Sequence, residues 1–145
     1  MERAEVSTTI KRPVDEVFAA LIDQANLPKW VSSLGSLTQT SDGPVAVGTT
    51  WHSTQKLFGR RMEGDTECTE FETNHRYAFS GTVPFPVTVA FTLEPVAGGT
   101  RVDQVIEAEP GGFFKLALPV LLTMVKRQFQ TDLDNFRDLM DANEL

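Results

Sequence analysis

Residues 113–140 read FFKLALPVLLTMVKRQFQTDLDNFRDLM, from Phe113 to Met140. Phe113, Leu116, Ala117, Val120, Leu121, Met124, Val125, Phe129, Leu133, Phe136, Leu139 and Met140 recur at steps of three and four, which keeps one face of a long helix apolar. So apolar a helix does not stand alone in water; its stripe needs a sheet to cover. Pro119 has no N–H, and its ring crowds the turn before it. It therefore kinks the helix or parts a first segment, 112–118, from the main one, which runs to about Asn143. Lys126-Arg127 reads as the polar flank. Asp132, Asp134, Asp138, Asp141 and Glu144 make the far end acidic, against the helix dipole. No function follows for that acidic end.

The sheet is sought upstream. Between Leu34 and Ala108, Asp42-Gly43-Pro44, Gly48, Gly59, Asn74-His75 and Gly98-Gly99 punctuate the chain at hairpin spacing. Strands are expected near 34–41, 49–58, 61–71, 76–83, 86–94 and 100–108. No crossover helices separate them, so they pair antiparallel. Pro84 and Pro86 bracket Phe85 at a tight corner. A further strand precedes them: Glu5–Lys11 alternates, with Val6, Thr8 and Ile10 on one side. Pro13 then opens a helix with Asp15 and Glu16 in its first turn and Val14, Val17, Phe18 and Leu21 on one stripe. Leu27 and Trp30 belong to a second short helix or turn that closes one end of the core.

The chain has 145 residues, with 13 Lys and Arg against 20 Asp and Glu, a formal charge of −7. That length suits one domain, spanning 1–145, and buries roughly 70% of the unfolded surface. An acidic domain is a poor nucleic-acid binder, because phosphates must be met by clustered cations. One Cys and two His leave no disulfide framework and no multi-Cys or multi-His metal cage, so neither metal nor cofactor is expected. The first residues lack an apolar signal core, and no apolar run reaches the roughly 18 residues of a membrane span. A cytoplasmic location is the expectation.

Strand phase decides which groups can do chemistry. Glu63, Asp65 and Glu67 share one face and read as a solvated ladder, which turns Thr66 and Cys68 inward. Phe71 is out of phase with Cys68, so a bulge is expected near Thr69–Glu70. His52 shares parity with Thr54 and Lys56, opposite Trp51, Ser53, Gln55 and Leu57. If Trp51 and Leu57 are buried, His52 meets solvent and is no general base. His75 falls in a turn, and Arg60-Arg61 sits exposed at a hairpin tip. Cys68 reads as a small buried hydrophobe and not a nucleophile. Inward groups that remain are Tyr77 and Phe79; Val87, Val89, Phe91 and Leu93; and Val102, Gln104 and Ile106. With Thr8, Ser53, Gln55, Thr66, Met124 and Gln128 they make an apolar lining carrying a few neutral polar groups. That describes a small-molecule pocket or a solid core with a few satisfied polar residues.

The order of elements resembles the helix-grip fold of the START/Bet v 1-like superfamily. Ile10-Lys-Arg-Pro13-Val-Asp-Glu-Val17-Phe18, Asn26-Leu-Pro-Lys-Trp30, Ser41-Asp-Gly-Pro-Val45 with Val47-Gly48-Thr-Thr-Trp51, Gly99-Thr100-Arg101-Val102 and Pro110-Gly-Gly-Phe-Phe-Lys115 look like its polyketide cyclase/dehydrase (SRPBCC) branch. The likeness spans essentially the whole chain. It implies an α+β fold in which a curved seven-stranded antiparallel sheet wraps a long C-terminal helix, with two short helices after the first strand. It also implies a cavity between sheet and helix, lined by the inward residues and capped near Trp30. The expected ligand-binding residues are Trp30, Trp51, Ser53, Gln55, Tyr77, Phe79, Phe91, Gln104, Met124 and Gln128. The polar members Gln55, Tyr77, Gln104 and Gln128 would orient the ligand. Two functions follow. One is binding of an apolar or aromatic small molecule, lipid-like or polyketide-like. The other is a cyclase or dehydratase-type enzyme on a polyketide-like substrate, for which only Tyr77, and Asp132 if the last helix turns it inward, supplies a proton-bearing group. A protein-interaction module is a third, smaller alternative.

Overall fold

Strand β1 (Glu2–Ile10) buries Ala4, Val6, Thr8 and Ile10 and exposes the residues between them, as a period-two strand with one covered face does. The computed structural model describes residues 2–57, 59–83 and 85–145. After β1 come α1 (Val14–Ile22), α2 (Leu27–Trp30), β2 (Leu34–Gln39), β3 (Thr50–Leu57), β4 (Arg60–Glu72), β5 (Arg76–Gly81), β6 (Val87–Val96), β7 (Gly99–Ala108), α3 (Phe113–Leu116) and α4 (Leu118–Asp141). Among the described residues, seven antiparallel strands form one sheet in the order β1-β7-β6-β5-β4-β3-β2, and of its pairings only β1–β7 joins strands distant in sequence. Sheet, short helices and long helix have the helix-grip arrangement expected from the sequence.

Local chemistry sets the element ends. Pro13 caps α1 from an extended backbone (φ −62°, ψ 151°), and Val17, Phe18 and Leu21 are buried along its stripe. Pro119 stands in the first turn of α4, which separates α3 from α4 as its missing N–H requires. The β4–β5 register shifts between Cys68 and Glu70, where the change of phase calls for a bulge. Pro84 lies outside the described residues, so the expected Pro84–Pro86 corner is described only in part.

Two of the sequence motifs meet in space. Thr100, fully buried, donates its hydroxyl to the Arg12 carbonyl at 2.8 Å. A Cβ on Gly99 would run into the carbonyl oxygen of Ile10, so the backbones of β7 and the β1–α1 corner touch where only glycine fits. Arg12 holds Glu16 at 2.8 Å and Asn143 Oδ1 at 2.8 Å, tying that corner to the end of α4.

The core joins Val6, Ile10, Val17, Phe18, Leu21, Leu93, Val102, Leu133, Phe136 and Met140. Trp30 packs against Phe136 (centroids 4.9 Å) and Phe91 (6.4 Å), locking α2 onto α4 and the sheet. The expected stripe of α4 is buried only along its C-terminal half. Leu116, Val120 and Met124 are 86%, 65% and 53% exposed. Leu133, Phe136 and Met140 rest on packed side chains, whereas in the first turns of α4 Leu121, Leu122 and Val125 face a void. Met124 stands at its edge, and Val120, like Leu116 of α3, lies off its wall.

Candidate functional site

The void is a cavity of about 350 Å³ between the sheet and the first half of α4. Its limits follow the strands. On β1 the wall includes Glu2 and Ala4 but not Val6; on β3, Ser53 and Gln55 but not Trp51; on β5, Phe79 and Gly81 but not Tyr77. On β6 it includes Val87 and Val89 but not Phe91, and on β7 Ile106 and Ala108 but not Gln104. In β4, Met62, Gly64 and Thr66 line it and Cys68 does not. Every inward face thus serves two purposes: one end of the sheet borders the cavity, and the other is filled by core. Leu121, Leu122, Met124, Val125, Gln128, Phe129 and Asp132 of α4 close it, with Leu27, Val31, Ser33, Leu34 and Leu37 at the side.

Of the expected ligand-binding residues, Ser53, Gln55, Phe79, Met124 and Gln128 stand on the cavity wall. Trp30, Trp51, Tyr77, Phe91 and Gln104 are buried and lie outside it, in the packed half. Tyr77 is ringed by Phe71, Phe79 and Phe91 at centroid distances of 6.1, 5.8 and 6.4 Å. Burial there pushes its phenol far up, so it stays protonated. Trp30 Nε1, Trp51 Nε1 and Gln104 Oε1 are buried without a hydrogen-bond partner among the described residues. Met124 and Gln128 are exposed as well as wall-lining, which places them at the rim.

Helical phase turns Asp132 inward. It is 4% exposed, and its Oδ1 accepts the Ser32 hydroxyl at 2.7 Å and the Ser32 N–H at 3.3 Å. Gln128, one turn earlier on the same face, donates its amide to that hydroxyl oxygen. Ser32 escaped the sequence reading because nothing local marks a partner 100 positions away. Asp132 carried a signal: it falls three residues after Phe129 and four before Phe136, on the apolar stripe.

The remaining candidates sit elsewhere. His52 is on the outer face, its Nδ1 2.8 Å from Asp65 Oδ1 and its Nε2 3.8 Å from Glu63 Oε2. The Asp65 hydrogen bond, helped by both negative charges, raises the His52 pKa. Cys68 is 1% exposed, and desolvation raises its thiol pKa, the opposite of an activated nucleophile. Among the described residues no group of three or more His, Cys, Asp or Glu could hold a metal ion. No helix among them is long and apolar enough to cross a membrane.

The fold is similar to that of TTHA0849 from Thermus thermophilus, at 16% identity and TM-score 0.82, covering 99% of this chain and 100% of that one. Ara h 8.0201 is similar at 18% identity and TM-score 0.75, covering 98% and 99%. One half of the di-domain ARO/CYC BexL from the BE-7585A biosynthetic pathway matches at 17% identity and TM-score 0.76, covering 95% of this chain and 46% of that one. No curated protein matches the sequence. The family model described as polyketide cyclase/dehydrase and lipid transport matches residues 1–141. With that match over nearly its whole length, on the fold its motifs imply, the chain belongs to the polyketide cyclase/dehydrase and lipid transport family.

Proposed function

We propose that the protein binds an apolar or aromatic small molecule in the cavity between the sheet and α4. The observation that carries the reading is the cavity itself: about 350 Å³, within the range of small-molecule sites, and walled mainly by Val, Leu, Ile, Phe and Met side chains. Burial of ligand surface against that wall drives binding at about 25 cal/mol per Å². Ser53, Gln55 and Gln128 supply the neutral hydrogen-bonding groups at the wall, and Phe79 and Met124 supply apolar contact. Trp30, Trp51, Tyr77, Phe91 and Gln104 form the packed bed that holds the wall residues in place. The family description, which names lipid transport beside polyketide chemistry, agrees with this reading.

A cyclase or dehydratase-type activity is the second reading, favoured by one observation: Asp132 lines the cavity, so a group able to exchange a proton stands at the wall. BexL, whose name carries the ARO/CYC designation, shares the fold.

Native mass spectrometry and thermal shift against a panel of lipids and polycyclic aromatics test the binding reading. A bound ligand in the native chain, or a rise in melting temperature lost in Val125→Trp, which places an indole in the cavity, supports it. No ligand bound and no shift across the panel overturns it. Turnover of a poly-β-ketone analogue that disappears in Asp132→Asn would establish the enzyme.

A further inference from the structure

Asp132 is a carboxylate in a place that offers little to a charge. It is 4% exposed, and Phe129 and Val125 line the same cavity wall. Both hydrogen bonds it accepts, from the N–H and the hydroxyl of Ser32, fall on Oδ1. Its Oδ2 takes none from the described residues. No Lys, Arg or His among them pairs with it; Lys56, the cation on the cavity wall, is exposed and forms no ion pair with it.

Oδ2 is not among the fully buried atoms that lack a partner; it keeps accessible surface on a residue that lines the cavity, so solvent reaches it there. A ligand that displaces the solvent leaves it at a cost unless the ligand brings a donor. Ser32 is already committed to Oδ1, and Gln128 is committed to Ser32. Once a ligand has displaced solvent from Oδ2, the donor comes with the ligand. On the footing that the cavity is a ligand site, we propose that Asp132 is its polar anchor. The ligand class is then an aromatic or otherwise apolar molecule carrying an O–H group, which donates to Asp132 Oδ2. The same group selects against two neighbours of that class. A pure hydrocarbon leaves Oδ2 dry, and a ligand whose polar end is a carboxylate meets like charge.

The test compares 2-naphthol with 2-methylnaphthalene, near-isosteric probes that differ in the O–H, by titration into the full chain. The wild-type protein is expected to bind 2-naphthol about tenfold tighter or more, the range of a hydrogen bond to a charged group. Asp132→Leu is expected to bring the two affinities together. Asp132→Asn, closer in shape, guards against a folding defect and is expected to shrink the preference at least about threefold. Equal affinities in the wild type, or a preference that survives both substitutions, overturn the anchor while leaving the cavity as a ligand site. If 2-naphthol does not bind the wild-type chain, the anchor is overturned; the binding reading falls with it only if the panel of lipids and polycyclic aromatics also gives no bound ligand and no shift.

Discussion

Ser32 and Asp132 stand 100 positions apart, and two donors of the one converge on a single oxygen of the other, at 2.7 and 3.3 Å. This contact fastens the segment after α2 to the middle of α4, at the side of the cavity. Ser32→Ala removes the shorter bond and leaves the N–H in place. We expect a loss of about 1.5 kcal/mol in urea denaturation at neutral pH, while Ser32→Thr, which keeps the hydroxyl, loses much less. An alanine variant as stable as the wild type would show that the contact contributes nothing.

Gly99 is expected to tolerate no side chain, because a Cβ would collide with the Ile10 carbonyl and not with a movable side chain. Gly99→Ala should cost about 3 kcal/mol, the upper end for overpacking, and open the β1–β7 edge first. Hydrogen exchange provides the check: amides of β1 should lose protection before those of β4 and β5.

His52 supplies a pH dependence whose sign is fixed. Its folded pKa is raised above the ordinary 6.5, first by the Asp65 hydrogen bond. The stabilisation is therefore complete below pH 6.5 and is lost as pH rises through the folded value. An NMR titration should place the His52 pKa above 6.5, and Asp65→Asn should lower it. The stability gap between wild type and His52→Gln should close at alkaline pH. A gap that widened with pH would contradict the assignment.

Cys68 should resist thiol reagents in the folded protein. Burial keeps it a thiol and bars access, so labelling by a disulfide reagent at about pH 8 should follow the unfolding curve in urea. Fast labelling of the native chain would mean that the inner face opens near Thr66.

Much of the fold was legible because it depends on periodicity and on turn chemistry. Alternation put Ser53, Cys68, Tyr77 and Gln104 inward, where they are, and the break in phase before Phe71 marked the bulge. Periodicity names a face; it is silent about position along the strand. Ser53 and Trp51 share a face of β3, yet one borders the cavity and the other the core, and the difference depends on what α4 places opposite. The same blindness made the α4 stripe look uniformly buried, although Met124 faces the rim and Phe136 the packed interior. The Ser32–Asp132 contact was least legible, since it is made by two polar residues with no local pattern in common.

The β1–β7 pairing bears on the order in which the chain acquires its structure. Glu2 lies beside Ala108 and Ile10 beside Thr100, whereas β2 to β7 each find a partner in the next strand. During synthesis the six-strand meander can assemble hairpin by hairpin, while β1 waits, its inward Val6 and Ile10 uncovered, until β7 has left the ribosome. Nascent chains arrested before Thr100 should therefore carry an exposed, strand-prone segment that chaperones hold. Chains arrested beyond α4 should not.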